Sequence, residues 1–282
     1  MLIKYLVSLL PKEKKDSLLR PFRRIDHNKK YNLCLCCIIK DENAYLEEWI
    51  RYHLKTGVEH FYIYDNDSRI PIAETIDRLN LSEYVTVIKI SGKSKQVSAY
   101  KHCLKVHGKR AQWIGFIDTD EFIVAKTTKG NLPLFLKEYT GYGGLGINWL
   151  VFGSSGHKKR TNEPQHKRFT LRSEENFGVN RHIKNIVQPQ HVKSVMGAHH
   201  FLFGKGKFAV NENFTPIEGS FSDVSVNSIQ LNHYYCRSLE EYQEKIDRGY
   251  GDTRKKRTID EFHNHDRDAN KVQDTTILEL FD

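Results

Sequence analysis

The sequence predicts an α/β fold, a mostly parallel central sheet with helices on both faces. Three observations carry that prediction. Strand-length apolar runs alternate with helix-like stretches four times in about ninety residues. The first of those runs is apolar throughout, as expected of a strand buried on both faces. Turn-forming, mostly acidic residues follow the runs, at the carboxyl ends where such sheets take their ligands.

Asn32–Ile39 (NLCLCCII) is the first strand. Its cysteines read as small core hydrophobes, because a C-x-C-C metal site has no partner cluster elsewhere in the chain. Asp41–Leu54 sets Leu46, Trp49, Ile50, His53 and Leu54 at three- and four-residue spacing, an amphipathic helix with Gly57 as its stop. His60–Tyr64 (HFYIY) is the second strand, broken by Asp65-Asn66-Asp67-Ser68. Ile72–Leu79 reads as helix, Val85–Ile90 as the third strand and Gln96–His107 as a further helix. Trp113–Ile117 (WIGFI) is the fourth strand and runs straight into Asp118-Thr119-Asp120-Glu121-Phe122.

After Pro133 the pattern changes. Gly141–Gly146 is glycine-dense, and Ile147–Phe152 is strand-like and meets Gly153-Ser154-Ser155-Gly156-His157. From there to about residue 230 short alternating pieces rich in His, Asn and Gly predict irregular, binding-rich structure. Ser228–Leu231 is strand-like, Leu239–Arg248 is a helix stopped by Gly249, and Arg254–Arg257 is a solvated charge run.

The 282 residues are 39% apolar and 28% charged, a globular composition that excludes disorder and collagen-like repeats. No run approaches the roughly 20 apolar residues of a membrane span. Five cysteines, three of them clustered at 34, 36 and 37, argue against a disulfide scaffold and for a reducing, cytoplasmic setting. Of the net charge of +9, residues 1–30 carry +6, so the body is close to balance and nucleic acid is not an expected partner. Met1–Leu10 is apolar except for Lys4 and Ser8 and is followed by Pro11 and Lys12, unlike a signal peptide. Residues 1–30 are thus a peripheral anchor on an anionic membrane surface, at the inner face of the membrane, or a helix packed on the domain with a basic linker.

Asp118 and Asp120 are the most informative pair. Carboxylates spaced i, i+2 share one side of an extended chain, and like charges so placed raise each other's pKa. A divalent cation resolves the conflict, and Mn²⁺ or Mg²⁺ leaves positions for substrate phosphates. The competing reading is an Asp-rich turn capping a helix. A hydrolase of the aspartyl-phosphate kind wants Thr or Val where Phe122 stands, and an early strand rather than the fourth. His233, at the end of a strand-like run, is the best later ligand and favours Mn²⁺, with a structural histidine as its competing reading.

Lys40-Asp41-Glu42-Asn43, Glu48-Trp49-Ile50, Tyr52-His53, Gly57 through Ser68 (GVEHFYIYDNDS), Trp113 through Phe122 (WIGFIDTDEF), Asn148 through His157 (NWLVFGSSGH) and Asn232-His233-Tyr234 followed by Ser238 resemble glycosyltransferase family 92 and its family-2-like relatives. The resemblance runs from about residue 31 to about residue 275 in the family's order, and does not cover residues 1–30. It implies a GT-A fold in one domain, residues 31–282. The nucleotide-sugar part spans about 31–125 and the acceptor and metal-completing part about 126–282. It further implies a UDP-sugar donor, a glycan or lipid-linked acceptor, and inversion at the anomeric carbon, with galactose as the family-level sugar. Carried over, Asp118 and Asp120 look like metal–diphosphate ligands and His233 like the late ligand. Lys40, Glu42, Asp65 and Asn66 look like nucleotide contacts, and Gln96 and Tyr100 line the donor pocket.

An inverting displacement needs a base on the acceptor hydroxyl. Among Glu163, Glu174, Glu175 and Asp223 the favoured residue is Glu174, in a stretch that could reach over the sugar; His157 is a second candidate or an acceptor contact. A surface or salt-bridging role competes in both cases. Two other functions stand beside the leading one: a nucleotidyltransferase using the same sheet and metal pair, and a non-catalytic carbohydrate- or membrane-surface-binding protein, against which the intact Asp118 and Asp120 argue.

Overall fold

A computed structural model describes residues 29–204, 206–248 and 257–280. Almost all of the basic segment 1–30, Gly249 and most of the run 254–257 lie outside the described residues.

The first half follows the predicted alternation: β1 (Tyr31–Ile39), α1 (Leu46–Lys55), β2 (His60–Asp65), α2 (Ile72–Arg78), β3 (Val85–Lys89), α3 (Gln96–His107) and β4 (Ala111–Phe116). The four strands are parallel in the order β3-β2-β1-β4, with Cys34 opposite His60 on one side of β1 and Leu33 opposite Trp113 on the other. The alternation within β1 explains why it is apolar throughout. Leu33, Leu35, Cys37 and Ile39 pack into one core with Trp49, Ile50, Ile72 and Ile76, from α1 and α2. Cys34 and Cys36 pack into the other with Ala99, Tyr100 and Cys103, from α3. Both faces of the sheet are therefore covered, and each fully buried Leu or Ile contributes about 1.5–3 kcal/mol.

Past β4 the chain forms β5 (Glu121–Ala125), α4 (Leu132–Leu136), β6 (Gly144–Val151), α5 (Gln165–Arg168), β7 (Leu171–Arg172), β8 (Ile183–Val187), β9 (Val192–Val195), β10 (Phe201–Phe203), β11 (Ala209–Val210), β12 (Pro216–Ile217) and β13 (Ile229–His233). Then come α6 (Leu239–Arg248), α7 (Ile259–Asp268), β14 (Val272–Gln273) and α8 (Thr276–Glu279). The stretch expected to be irregular thus extends the sheet to ten strands. β8 inserts antiparallel between β4 and β6, and β11 and β12 continue beyond β6. β13 lies parallel to β6 and antiparallel to β5, so its last residue, His233, pairs with Glu121 directly after the Asp118–Asp120 turn. β6 begins earlier than predicted because the glycine-dense run is strand: a Cβ on Gly146 would lie 2.5 Å from Ile217. No helix among the described residues is long and apolar enough to cross a membrane.

Candidate active site

The Asp118-Thr119-Asp120 turn carries the chain from β4 to β5 at the carboxyl edge of the parallel strands, and its two carboxylates meet different lysines. Asp118 accepts 2.7 Å from Lys184 Nζ on β8 and 3.1 Å from Gln96 Nε2, which also donates to the Tyr100 hydroxyl. Asp120 Oδ2 accepts 2.6 Å from Lys245 Nζ on α6, whose ammonium also donates to Tyr235 O at 2.8 Å. Asp120 Oδ1 faces His233 Nε2 at 3.7 Å, and the Tyr234 N–H closes the corner on Asp120 O. Gln96, Tyr100, Asp118, Asp120 and His233, each expected from the sequence, are thus brought to one place.

Glu121 lies beneath them without solvent contact, taking the Trp149 indole N–H at 2.8 Å and the Asp118 backbone N–H at 2.8 Å, with Lys184 Nζ 3.6 Å away. Burial raises its carboxyl well above the ordinary range. Burial also works against the charge on Lys184, but Asp118 and Glu121 outweigh it and hold the ammonium. Asp120 shows the same contest with opposite sign: burial disfavours its charge, and Lys245, with Arg237 behind it, pulls its carboxyl well below the usual range. Lys245 is brought down to about 8 by burial, with Asp120 opposing. His233 is held neutral by burial, and its Nδ1 is buried with no hydrogen-bond partner among the described residues.

A second layer ties the expected nucleotide loops together. Glu42 is buried. It accepts from Thr119 Oγ1 at 3.2 Å and from Arg237 at 3.0 Å, and also pairs with Arg248. Burial disfavours its charge, but the two guanidiniums win and depress its pKa. Arg237 in turn stacks 3.5 Å over the Tyr45 ring and donates to Gln165. Both oxygens of Asp65 accept backbone N–H groups, of Ser68 and Ile72. Asn66 spends its NH₂ on Ile90 O and Gly92 O, and Lys40 is exposed. These loops form a bonded shelf in which Lys40 and Asn66 Oδ1 make no hydrogen bond among the described residues.

Glu174 and His157 make no contact with the residues of this cluster among the described residues. Glu174 is exposed, its carboxylate makes no hydrogen bond among the described residues, and its backbone oxygen accepts from Asn180. His157 lies edge-on to Phe169 at 5.7 Å and closes a loop in which Ser154 and Ser155 bind Asp266 and Asn270. Sequence reasoning missed Lys184, Lys245, Glu121, Arg237 and Arg248. Glu121 stood in the acidic turn after the fourth strand, and Lys245 stands three residues after Tyr242 on the face of α6 that is buried.

Whether a divalent ion fits can be judged from the donors. Asp120 Oδ1 accepts no hydrogen bond among the described residues and faces a neutral imidazole nitrogen, an O,N pair that suits Mn²⁺ better than Mg²⁺. Asp118 lies beside this pair with both oxygens engaged. Among the described residues no group of three or more His, Cys, Asp or Glu is gathered to hold an ion, so substrate phosphate and water must complete the shell. On those terms the corner offers an ion two first ligands, Asp120 Oδ1 and His233 Nε2.

The family model for glycosyltransferase family 92 matches residues 29–275. A family 92 protein of Ricinus communis is 27% identical over 240 residues, covering 80% of this chain and 39% of its own length. One from Oryza sativa subsp. japonica is 28% identical over 247 residues, covering 85% and 39%. The chain therefore spans about two-fifths of the length of these curated relatives. Among solved structures, residues 1–349 of S. aureus TarS align with a TM-score of 0.39 at 14% identity, over 56% of this chain and 47% of that one.

Proposed function

Because this chain belongs to glycosyltransferase family 92, we propose that it is a metal-dependent, inverting enzyme that moves a hexose from a UDP-sugar to a glycan or lipid-linked saccharide. The observation that carries this reading is the corner where Asp120 and His233 face each other, with Asp118 beside them, at the carboxyl edge of the sheet. Asp120 and His233 would hold Mn²⁺, with Asp118 toward the diphosphate; the bound ion supplies Lewis-acid stabilisation of the departing UDP. Lys184 and Lys245 hold the two carboxylates in place, which spares the site reorganisation during reaction. Gln96 and Tyr100 fix Asp118, while Lys40 and the shelf of Asp65 and Asn66 receive the nucleotide, Glu42 acting from beneath through Thr119. Glu174, with an uncommitted carboxylate, takes the proton of the acceptor hydroxyl, and His157 contacts the acceptor. Galactose is the donor sugar to try first, and cell-surface polysaccharide or lipopolysaccharide the product class. Residues 1–30 would hold the enzyme on the inner face of an anionic membrane.

Release of UDP from a panel of UDP-sugars, with and without Mn²⁺, tests the reading. Asp120→Ala and Asp118→Ala are expected to abolish release and weaken Mn²⁺-dependent UDP binding. Glu174→Gln should cut turnover while leaving UDP affinity nearly unchanged. No release by the wild type, or equal release by Asp120→Ala, overturns the assignment, and diphosphate released from a nucleoside triphosphate favours a nucleotidyltransferase. Deleting residues 2–24 should free the protein from anionic vesicles without loss of activity on a soluble acceptor.

A further inference from the structure

From Asp120 a run of rings leads away along the carboxyl edge. The ring of His233 lies 4.3 Å from that of Trp149, Trp149 stacks on His182 at 4.7 Å and 21°, and Phe221 meets His182 at 4.6 Å and 63°. Trp149 and His233 are buried and His182 half-buried, whereas Phe221 is 52% exposed, so the run emerges into solvent as it leaves the carboxylates. Its outer end is held by the backbone. His182 and Phe221 form a β-bridge, and the Ser222 N–H donates to Arg181 O at 2.9 Å. The buried Asn148 amide bonds Asn180 O at 3.2 Å and accepts from the Ser225 N–H at 3.2 Å. An exposed phenylalanine fixed in this way is not accounted for by core packing.

Two features define what would lie there. His182 Nδ1 is 2.9 Å from Val179 O, and His199 Nδ1 is 2.7 Å from Ile183 O. A carbonyl only accepts, so each Nδ1 carries the proton and each Nε2 is a lone-pair acceptor, without a protein partner among the described residues. The His199 ring is 5.1 Å from Trp149 and 5.4 Å from His182, so both acceptors flank the same run. Neutral acceptors beside aromatic rings suit hydroxyl groups. Phe221 also lines a cavity of about 580 Å³. Arg181, the cation of its lining, is already paired with Asp223 at 3.3 Å, which leaves a phosphate no free counter-charge. The Thr215 hydroxyl, the Asn227 carboxamide and Asn213 Oδ1 remain there as neutral groups without protein partners among the described residues.

We propose that His182, His199, Phe221 and the adjoining cavity form an extended acceptor subsite, positioned by Trp149 and Asn148, for an oligosaccharide bound over at least two sugar units. The proposal rests on the glycosyltransferase reading and adds to it the length of the acceptor and the direction in which it lies.

The test probes an array of immobilised glycans, from monosaccharides to hexasaccharides, with the full chain in the presence of UDP and Mn²⁺. UDP binding is measured separately by calorimetry. The wild type is expected to bind glycans of two or more sugars and to ignore monosaccharides. Phe221→Ala should weaken binding of the longer glycans about tenfold, Phe221→Tyr should restore it, and both should bind UDP as the wild type does. Equal binding of monosaccharides and longer glycans, undiminished binding by Phe221→Ala, or no glycan bound by a protein that binds UDP overturns the proposal and leaves the enzyme assignment standing. A protein that binds no UDP overturns both.

Discussion

Lys184 reaches the Asp118 carboxylate at 2.7 Å and the buried Glu121 carboxyl at 3.6 Å, and does so from within a buried strand. Replacing it with methionine leaves the Asp118 carboxylate without its counter-charge. The loss should be about 3 kcal/mol, the low end for breaking a buried pair because Asp118 keeps about a third of its side chain in water. The urea midpoint measures it, and a loss under about 1 kcal/mol would show that the pairing is not structural. Asp118, Asp120, Gln96 and His233 were legible in the sequence because each sits at the end of a strand or the start of a helix. Lys184 was not, since one lysine in IKNIV reads as the solvent side of a strand. Glu42 was legible as a site residue but not in its role: the Arg237 that occupies it lies 195 positions away, and no local pattern announces such a partner.

Among the elements, the junction of β6 with α7 is tightly specified. Gly153 follows β6 against the Asn270 side chain, which an added Cβ would meet at 2.4 Å, and Ser154 and Ser155 bond Asp266 and Asn270. Gly153→Ala should therefore push α7 away and cost about 1–3 kcal/mol in denaturant stability, and an unchanged midpoint would contradict this. The loop expected to carry an acceptor contact at His157 thus has at least a structural task. β1 to β4 with their helices could be read because each spans enough residues for a period to show. β7, β11 and β12 are two residues long, too short for alternation, and α7 (IDEFHNHDRD) buries only Phe262, so no apolar stripe marks it.

For the whole molecule, His53 predicts how stability responds to acid. It has no solvent contact, donates Nδ1–H to Trp49 O at 2.9 Å, and burial lowers its pKa to about 3. An unfolded histidine takes up its proton near pH 6.5, so between there and about pH 3 the unfolded chain binds one proton more than the native state. Stability should fall through that window by about 1.4 kcal/mol per pH unit from this residue. Urea midpoints from pH 6.5 to 4 should slope more gently in His53→Gln than in the wild type, and equal slopes would refute the assignment. The five thiols offer a second measure of the same folded state. Cys34, Cys36, Cys37, Cys103 and Cys236 are all free and buried, three of them in β1, an inner strand of the parallel sheet. A thiol reagent can reach them only when the chain opens, so their labelling rate should clock breathing of that inner strand, slowing whenever a bound ligand holds the sheet shut.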